Sequence, residues 1–182
     1  FTALLKTCNL LPATCYLPLA QVLHQADSPQ TYPLITALLV LDAEIHTLIG
    51  EDRRILTLPG FLSYRASLPP DKVPLESLRL PPLNPGGRYV FAMADNRAFL
   101  AVRLDLNPAL NVAGHVRIAV SSSTRPPMRL VTAEERLERQ VLAEEMIKTA
   151  IAAGSADLPI PLAQIEEAEL VETLKGFIKS TS

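Results

Sequence analysis

Glycine is scarce in this sequence: there are seven in 182 residues, none before Gly50, against sixteen prolines. Glycine lets a backbone approach a phosphate closely and take positive φ, whereas proline stiffens a connection. A Gly-rich phosphate cradle is thereby excluded from the first 49 residues. The pair Gly86-Gly87 follows Pro85 in a connector and opens no helix, so it makes a weak phosphate loop. Cysteine is limited to Cys8 and Cys15. Their spacing is wider than zinc-site pairs use and no second pair follows, so the expectation is two reduced thiols in a cytoplasmic protein. Charge of one sign is missing too: 17 basic residues against 19 acidic ones give a net charge of −2, with no like-charge block. Neither nucleic acid nor an anionic membrane is expected as a partner. No apolar run reaches the ~18 residues of a membrane-spanning helix. The chain opens on Phe1 with no basic segment, so no signal peptide is expected, and the lack of an initiating Met points to a trimmed or partial chain.

What is present is a globular composition, 48% hydrophobic. Residues 1–26 are apolar and proline-punctuated, with a short helix expected after Pro18. "DSPQTYP" reads as a loop, because Asp27 and Ser28 are turn formers and Pro29 and Pro33 bias the residues before them to extended shapes. A helix is expected over 34–41. "AEIHTLIG" and "RRILTL" then alternate around the turn "GED", which predicts a hairpin with Glu51 and Asp52 at its tip. The acids of this stretch, Asp42 included, fall at turns and are expected to be solvated.

Residues 66–88 form a proline-rich connector holding one short strand, "LESLRL". Three alternating segments follow, "RYVFAM", "RAFLAVRLDL" and "AGHVRIAVSS", with "NPALN" between the last two, and they predict an antiparallel meander. Val116, Ile118 and Val120 share its apolar face, opposite His115, Arg117 and Ala119. Thr132 and Glu135 have capping-box spacing. Leu137, Val141, Met146, Ile147 and Ile151 continue an apolar helical stripe to Gly154, a candidate C′ residue. The acidic residues of "TAEERLERQVLAEE" read as a solvated face with intrahelical ion pairs. A last helix is expected over 162–179. The division is therefore 1–65, the connector 66–88, and a C-terminal α+β domain over 89–182.

Candidate chemistry is sparse. His24, His46 and His115 are far apart in sequence and read as surface helix or strand residues, with no metal set among them. "SSST" at 121–124 has no nucleophile elbow around it. No catalytic residue is assigned.

The order of these segments resembles a known family. "ALLVLDAEIHTL" with "EDRRILTLPGFL", then "LESLRLPP", "NRAFLAVRLDL" and "VRIAVSSSTRPPMRL", is similar to the FAD-binding medium subunit of molybdenum hydroxylases, the group of aerobic carbon monoxide dehydrogenase and xanthine dehydrogenase. The resemblance runs over residues 18–180. It implies an α+β fold: a C-terminal domain with a three-stranded antiparallel sheet packed on helices, preceded by part of a flavin-binding subdomain over 1–65. It implies FAD as cofactor, a molybdopterin large subunit and an iron–sulfur small subunit as partners, and electron transfer as the role. The family's first flavin subdomain has no counterpart in these residues.

The flavin-contact positions depart from the family. Ala20 and Gln21 stand where its glycine pair falls, Val22 where Asn is usual, Gln30 or Thr31 where an acid is common, and Ala92 where a lysine precedes its "RR", of which only Arg97 remains. Asp27 and Ser28 are the cofactor-loop positions that stay compatible. The departures imply that this chain does not itself bind FAD. Two readings stay open: a truncated or degenerate member of the electron-transferring subunits, and a non-enzymatic interaction or assembly module that keeps the fold.

Overall fold

The computed structural model describes residue 23 and residues 25–67, 75–82, 84, 87–94, 98–107 and 109–179. Helix α1 (Tyr32–Val40) opens with Pro33 in its first turn, where a missing N–H costs nothing. The expected loop before it is a tight turn in which Thr31 Oγ1 lies 2.9 Å from the Gln25 carbonyl and 2.8 Å from that of Ser28. Nearly every residue of α1 is buried, which explains why its apolar run has no helical period: the helix is enclosed on all sides.

Strands β1 (Glu44–Ile49) and β2 (Asp52–Thr57) form the expected hairpin, with Gly50 at φ +66° and Glu51 at its tip. Helix α2 (Leu58–Ala66) follows at once, its start capped by Thr57 accepting from the Gly60 N–H. Strand β3 (Leu75–Arg79) returns antiparallel to the other side of β1, giving a three-stranded sheet of order β2-β1-β3.

The meander is β4 (Gly87–Ala94), β5 (Ala98–Asn107) and β6 (Val112–Ser122). A two-residue β7 (Met128–Arg129) extends it to the order β4-β5-β6-β7. A bulge in β6 sets His115 and Val116 opposite Leu104 alone, between the pairs Arg103–Arg117 and Asp105–Gly114. His115 takes φ +52° there, and the extra residue lets Ala113 and Val116 face the same core despite their odd spacing.

Helices α3 (Val131–Leu137), α4 (Glu144–Ala156) and α5 (Gln164–Lys179) close one face of this sheet over a core running from Ala94 to Phe177. The other face carries a second core: α1, Ile45, Leu58 and Phe61, reaching the sheet at Ala101 and Ala119. The central strands are thus buried on both faces. The buried Arg125 ties the turn after β6 to α5 through Glu166 at 2.7 Å, and Glu166 also accepts from the Ala163 N–H at 2.7 Å.

Several expectations for the helical region are corrected. The stripe from Leu137 to Gly154 is two helices, because Arg139 takes φ +59° and the Arg139 N–H bonds to the Ala113 carbonyl. Val141 and Met146 are consequently 55% and 36% exposed. Thr132 makes no capping box and pairs instead with the Asp157 carboxylate. Gly154 lies inside α4, where a Cβ would stand 2.9 Å from that of Ala133, so it permits a close helix crossing and ends nothing. The expected solvated acidic face holds for Glu135, which is exposed, and for Glu144 and Glu145, which pair with Lys148 within α4, but not for Glu134 and Glu138. Glu134 is buried, accepts from the Ile118 N–H at 2.9 Å and pairs with Arg129. Glu138 accepts from the N–H groups of His115 and Val116, both at 2.9 Å. A carboxylate of α3, Glu134, and that of its C-cap residue, Glu138, therefore bind the strand edge that the short β7 leaves uncovered.

Candidate functional site

Asp27 and Ser28 lie in the turn leading into α1. The Ser28 N–H donates to Gln25 at 2.8 Å, Thr31 to Ser28 at 2.9 Å, and Tyr32 to Pro29 at 3.4 Å. The Tyr32 hydroxyl donates to the Asp27 carbonyl at 3.1 Å. The Asp27 carboxylate pairs with the buried Arg65 of α2. This turn directs its donors inward and shows an anionic side chain outward, which suits fastening α1 to α2.

The most connected polar group is Asp42, just after α1 at φ +50°, a conformation a short polar side chain tolerates. Arg117 Nε donates to Oδ1 at 2.9 Å, His115 Nε2 stands 2.8 Å from Oδ2, and Nη1 of the buried Arg103 approaches Oδ2 at 3.6 Å. Burial pushes the Asp42 carboxyl up, but the hydrogen bonds and charges of Arg117 and His115 outweigh it and hold the group below its ordinary value of 3.8. The expected solvated turn acid is thus a half-buried clamp between the α1–β1 junction and the central sheet, and His115 is no plain surface residue. Both oxygens of Asp42 are engaged by residues of the central sheet, so the cluster holds the α1–β1 junction against that sheet.

The remaining candidates stay apart. Glu44 faces Arg79 at 3.8 Å, Asp52 pairs with Arg54 on the surface, and half-buried His46 lies between Ile55 and Ser77 in the three-stranded sheet. Ser121 is buried against Thr36, their hydroxyl oxygens 2.7 Å apart, and Ser122 Oγ accepts from the Thr124 and Arg125 N–H groups. Among the described residues no three His, Cys, Asp or Glu side chains converge as a metal site, and no helix is long and apolar enough to cross a membrane. His24, Cys8, Cys15, Ala20, Gln21, Val22 and Arg97 lie outside the described residues.

No protein-family model and no curated protein matches the sequence. Solved structures do match. A chain of the reconstituted CO dehydrogenase from Oligotropha carboxidovorans aligns with a TM-score of 0.66 at 16% identity, over 93% of this chain and 61% of that one. The fold is that of part of this CO dehydrogenase chain. A chain of the carbon monoxide dehydrogenase from Hydrogenophaga pseudoflava lacking the Mo-pyranopterin moiety of its cofactor gives 0.57 at 19% identity, over 80% of this chain and 53% of that one. Quinoline 2-oxidoreductase from Pseudomonas putida 86 gives 0.53 at 16%, over 81% and 53%. At such identities the likeness is one of fold, and this chain spans between half and two thirds of each neighbour's length.

Measured against the flavin that the resemblance implies, the described residues do not fit. A pyrophosphate needs backbone donors directed outward. The N–H groups of Ser28, Thr31 and Tyr32 are all used within the turn, and the Asp27 carboxylate repels an anion. Ala92, where the family has lysine, is packed against the helical core from β4 and offers no charge.

Proposed function

We propose that this chain is a truncated or degenerate member of the electron-transferring FAD subunits of molybdenum hydroxylases, and that residues 23–179 supply its scaffold. One observation carries the reading: the two-core arrangement around a central meander aligns over 93% of the chain with a CO dehydrogenase chain. The five sequence segments that resemble the family, in its order, support it independently. In a complete subunit of this kind the flavin supplies the redox chemistry when bound, and the protein positions it between its partners. The natural partners under this reading are a molybdopterin large subunit and an iron–sulfur small subunit. Asp27 and Ser28 then hold the cofactor-loop position by descent and serve to fasten the turn, not to bind a ligand.

The test is to isolate the full-length protein under mild conditions from its natural source and to assay molybdenum, iron and flavin against protein. Co-purifying molybdenum and iron, with flavin below one per chain, is the expected result. Absence of all three would overturn the reading and leave a module that keeps only the fold.

A further inference from the structure

The layer formed by α1, α2 and the three-stranded sheet has a core of its own. Among the described residues Leu23, Ile35, Leu38, Ile45, Leu58 and Phe61 fill it, while the central sheet contributes Ala101 and Ala119, with half-buried Phe91 at the margin. Two polar links cross the same boundary, Thr36 to Ser121 and Asp42 to Arg117 and His115. Arg103 is buried there, 2% exposed. Its Nη1 stands 3.6 Å from Asp42 Oδ2, too far for a hydrogen bond, and neither that nitrogen nor Nε meets an acceptor among the described residues. Directly across on β6 is a second guanidinium, that of Arg117.

We propose that this layer opens from the central sheet as a body, with Asp42 as its latch and the buried Arg103 guanidinium favouring release. Closure takes Arg103 out of water and returns one long ion pair without a hydrogen bond, so its desolvation is not recovered. Closure also holds the charges of Arg103 and Arg117 side by side where water screens them less. The sheet's apolar share of the boundary is two methyl groups and one ring, against the Leu, Ile and Val side chains it gives the helical face. The layer keeps its own core when it leaves, so opening requires no unfolding of α1 or of the β1–β2 hairpin. The face it uncovers carries Arg103, Arg117 and Ser121 around Ala101 and Ala119.

Labelling of single buried thiols in the folded full chain tests this. With Cys8→Ser and Cys15→Ser removing the native thiols, Ala119→Cys reports the layer boundary and Ala150→Cys the helical core, both sites being fully buried. Ellman's reagent, at urea concentrations below the unfolding transition, is expected to modify Ala119→Cys at least roughly tenfold faster and with the weaker urea dependence. Asp42→Asn should quicken that labelling roughly tenfold, and Arg103→Met should slow it by a similar factor, because Asp42 keeps Arg117 and His115. Leu104→Ala, whose side chain faces the helices, should quicken labelling at Ala150→Cys and leave that at Ala119→Cys unchanged. Equal rates with one urea dependence at the two sites would mean that the molecule opens only as a whole, and would overturn the proposal. Faster labelling of Ala119→Cys in Arg103→Met would overturn the part given to Arg103.

Discussion

The two faces of the central sheet are buried by different means. One face meets α3, α4 and α5 with large aliphatic side chains: Leu100, Val102, Leu104, Val116, Ile118 and Val120. The other meets α1 and the three-stranded sheet with small residues, Ala101 and Ala119, and with polar groups, Arg103, Arg117 and Ser121, which find partners in Asp42 and Thr36. The first face is held by area removed from water, which is large and non-directional. The second is held by a few directed contacts that specify where α1 and β1 sit. A layer added by directed contacts is more easily separated from the sheet than one added by interdigitated aliphatics.

The severest challenge to this contrast is truncation. Among the described residues the buried aliphatic core runs from Ala94 to Phe177, so residues 75–180 are expected to fold without 1–65. Circular dichroism and dispersed amide proton resonances would show it, and an unfolded fragment would refute both the domain boundary and the asymmetry of the faces. Within the aliphatic face, Leu104→Ala at a fully buried site should cost about 3–5 kcal/mol in urea unfolding, the transfer loss plus a cavity. Asp42→Ala should cost less, about 2–3 kcal/mol after allowance for partial exposure, because it leaves Arg103 and Arg117 without a counter-charge. The same carboxylate gives a pH signature. Its folded pKa is depressed, so its stabilisation is complete above the unfolded value of 3.8 and is lost as pH falls through the lower folded value. Asp42→Asn should flatten that acid limb of the stability profile. The smallest effect is expected from Thr36→Val, about 1–2 kcal/mol, which leaves the buried Ser121 hydroxyl short of a partner. If it matched Leu104→Ala, the two faces would not differ in the way described.

Legibility followed the range of the interactions. The β1–β2 hairpin could be read because alternation and the "GED" turn are local, and the meander because its apolar and polar sets exchange faces at each residue. The split between α3 and α4 could not, since the residues from Leu137 to Ile151 keep a helical apolar rhythm through the break. What interrupts them is the Arg139 N–H bonding to Ala113, a strand residue distant in sequence. The Thr132–Glu135 spacing misled for the same reason, because Asp157 claimed the Thr132 hydroxyl. Asp42 looked like a turn acid, and only the folding of β6 beneath it supplies Arg117 and His115. A signal was present in the run "GHVR", where a histidine and an arginine share the strand face that a buried layer must cover.

The sequence by itself determined the strands other than the two-residue β7, the helices α1 and α5, the composition that disfavours a nucleic-acid partner, and the want of glycine in the first 49 residues. Each is a property of neighbouring residues or of counts. The tertiary structure alone decided that the central sheet is covered on both faces, that Glu134 and Glu138 bind one of its edges, and that Asp42 is a clamp. Those outcomes depend on which groups meet across many residues of chain, where burial and the need to pair every charge and N–H override local preference.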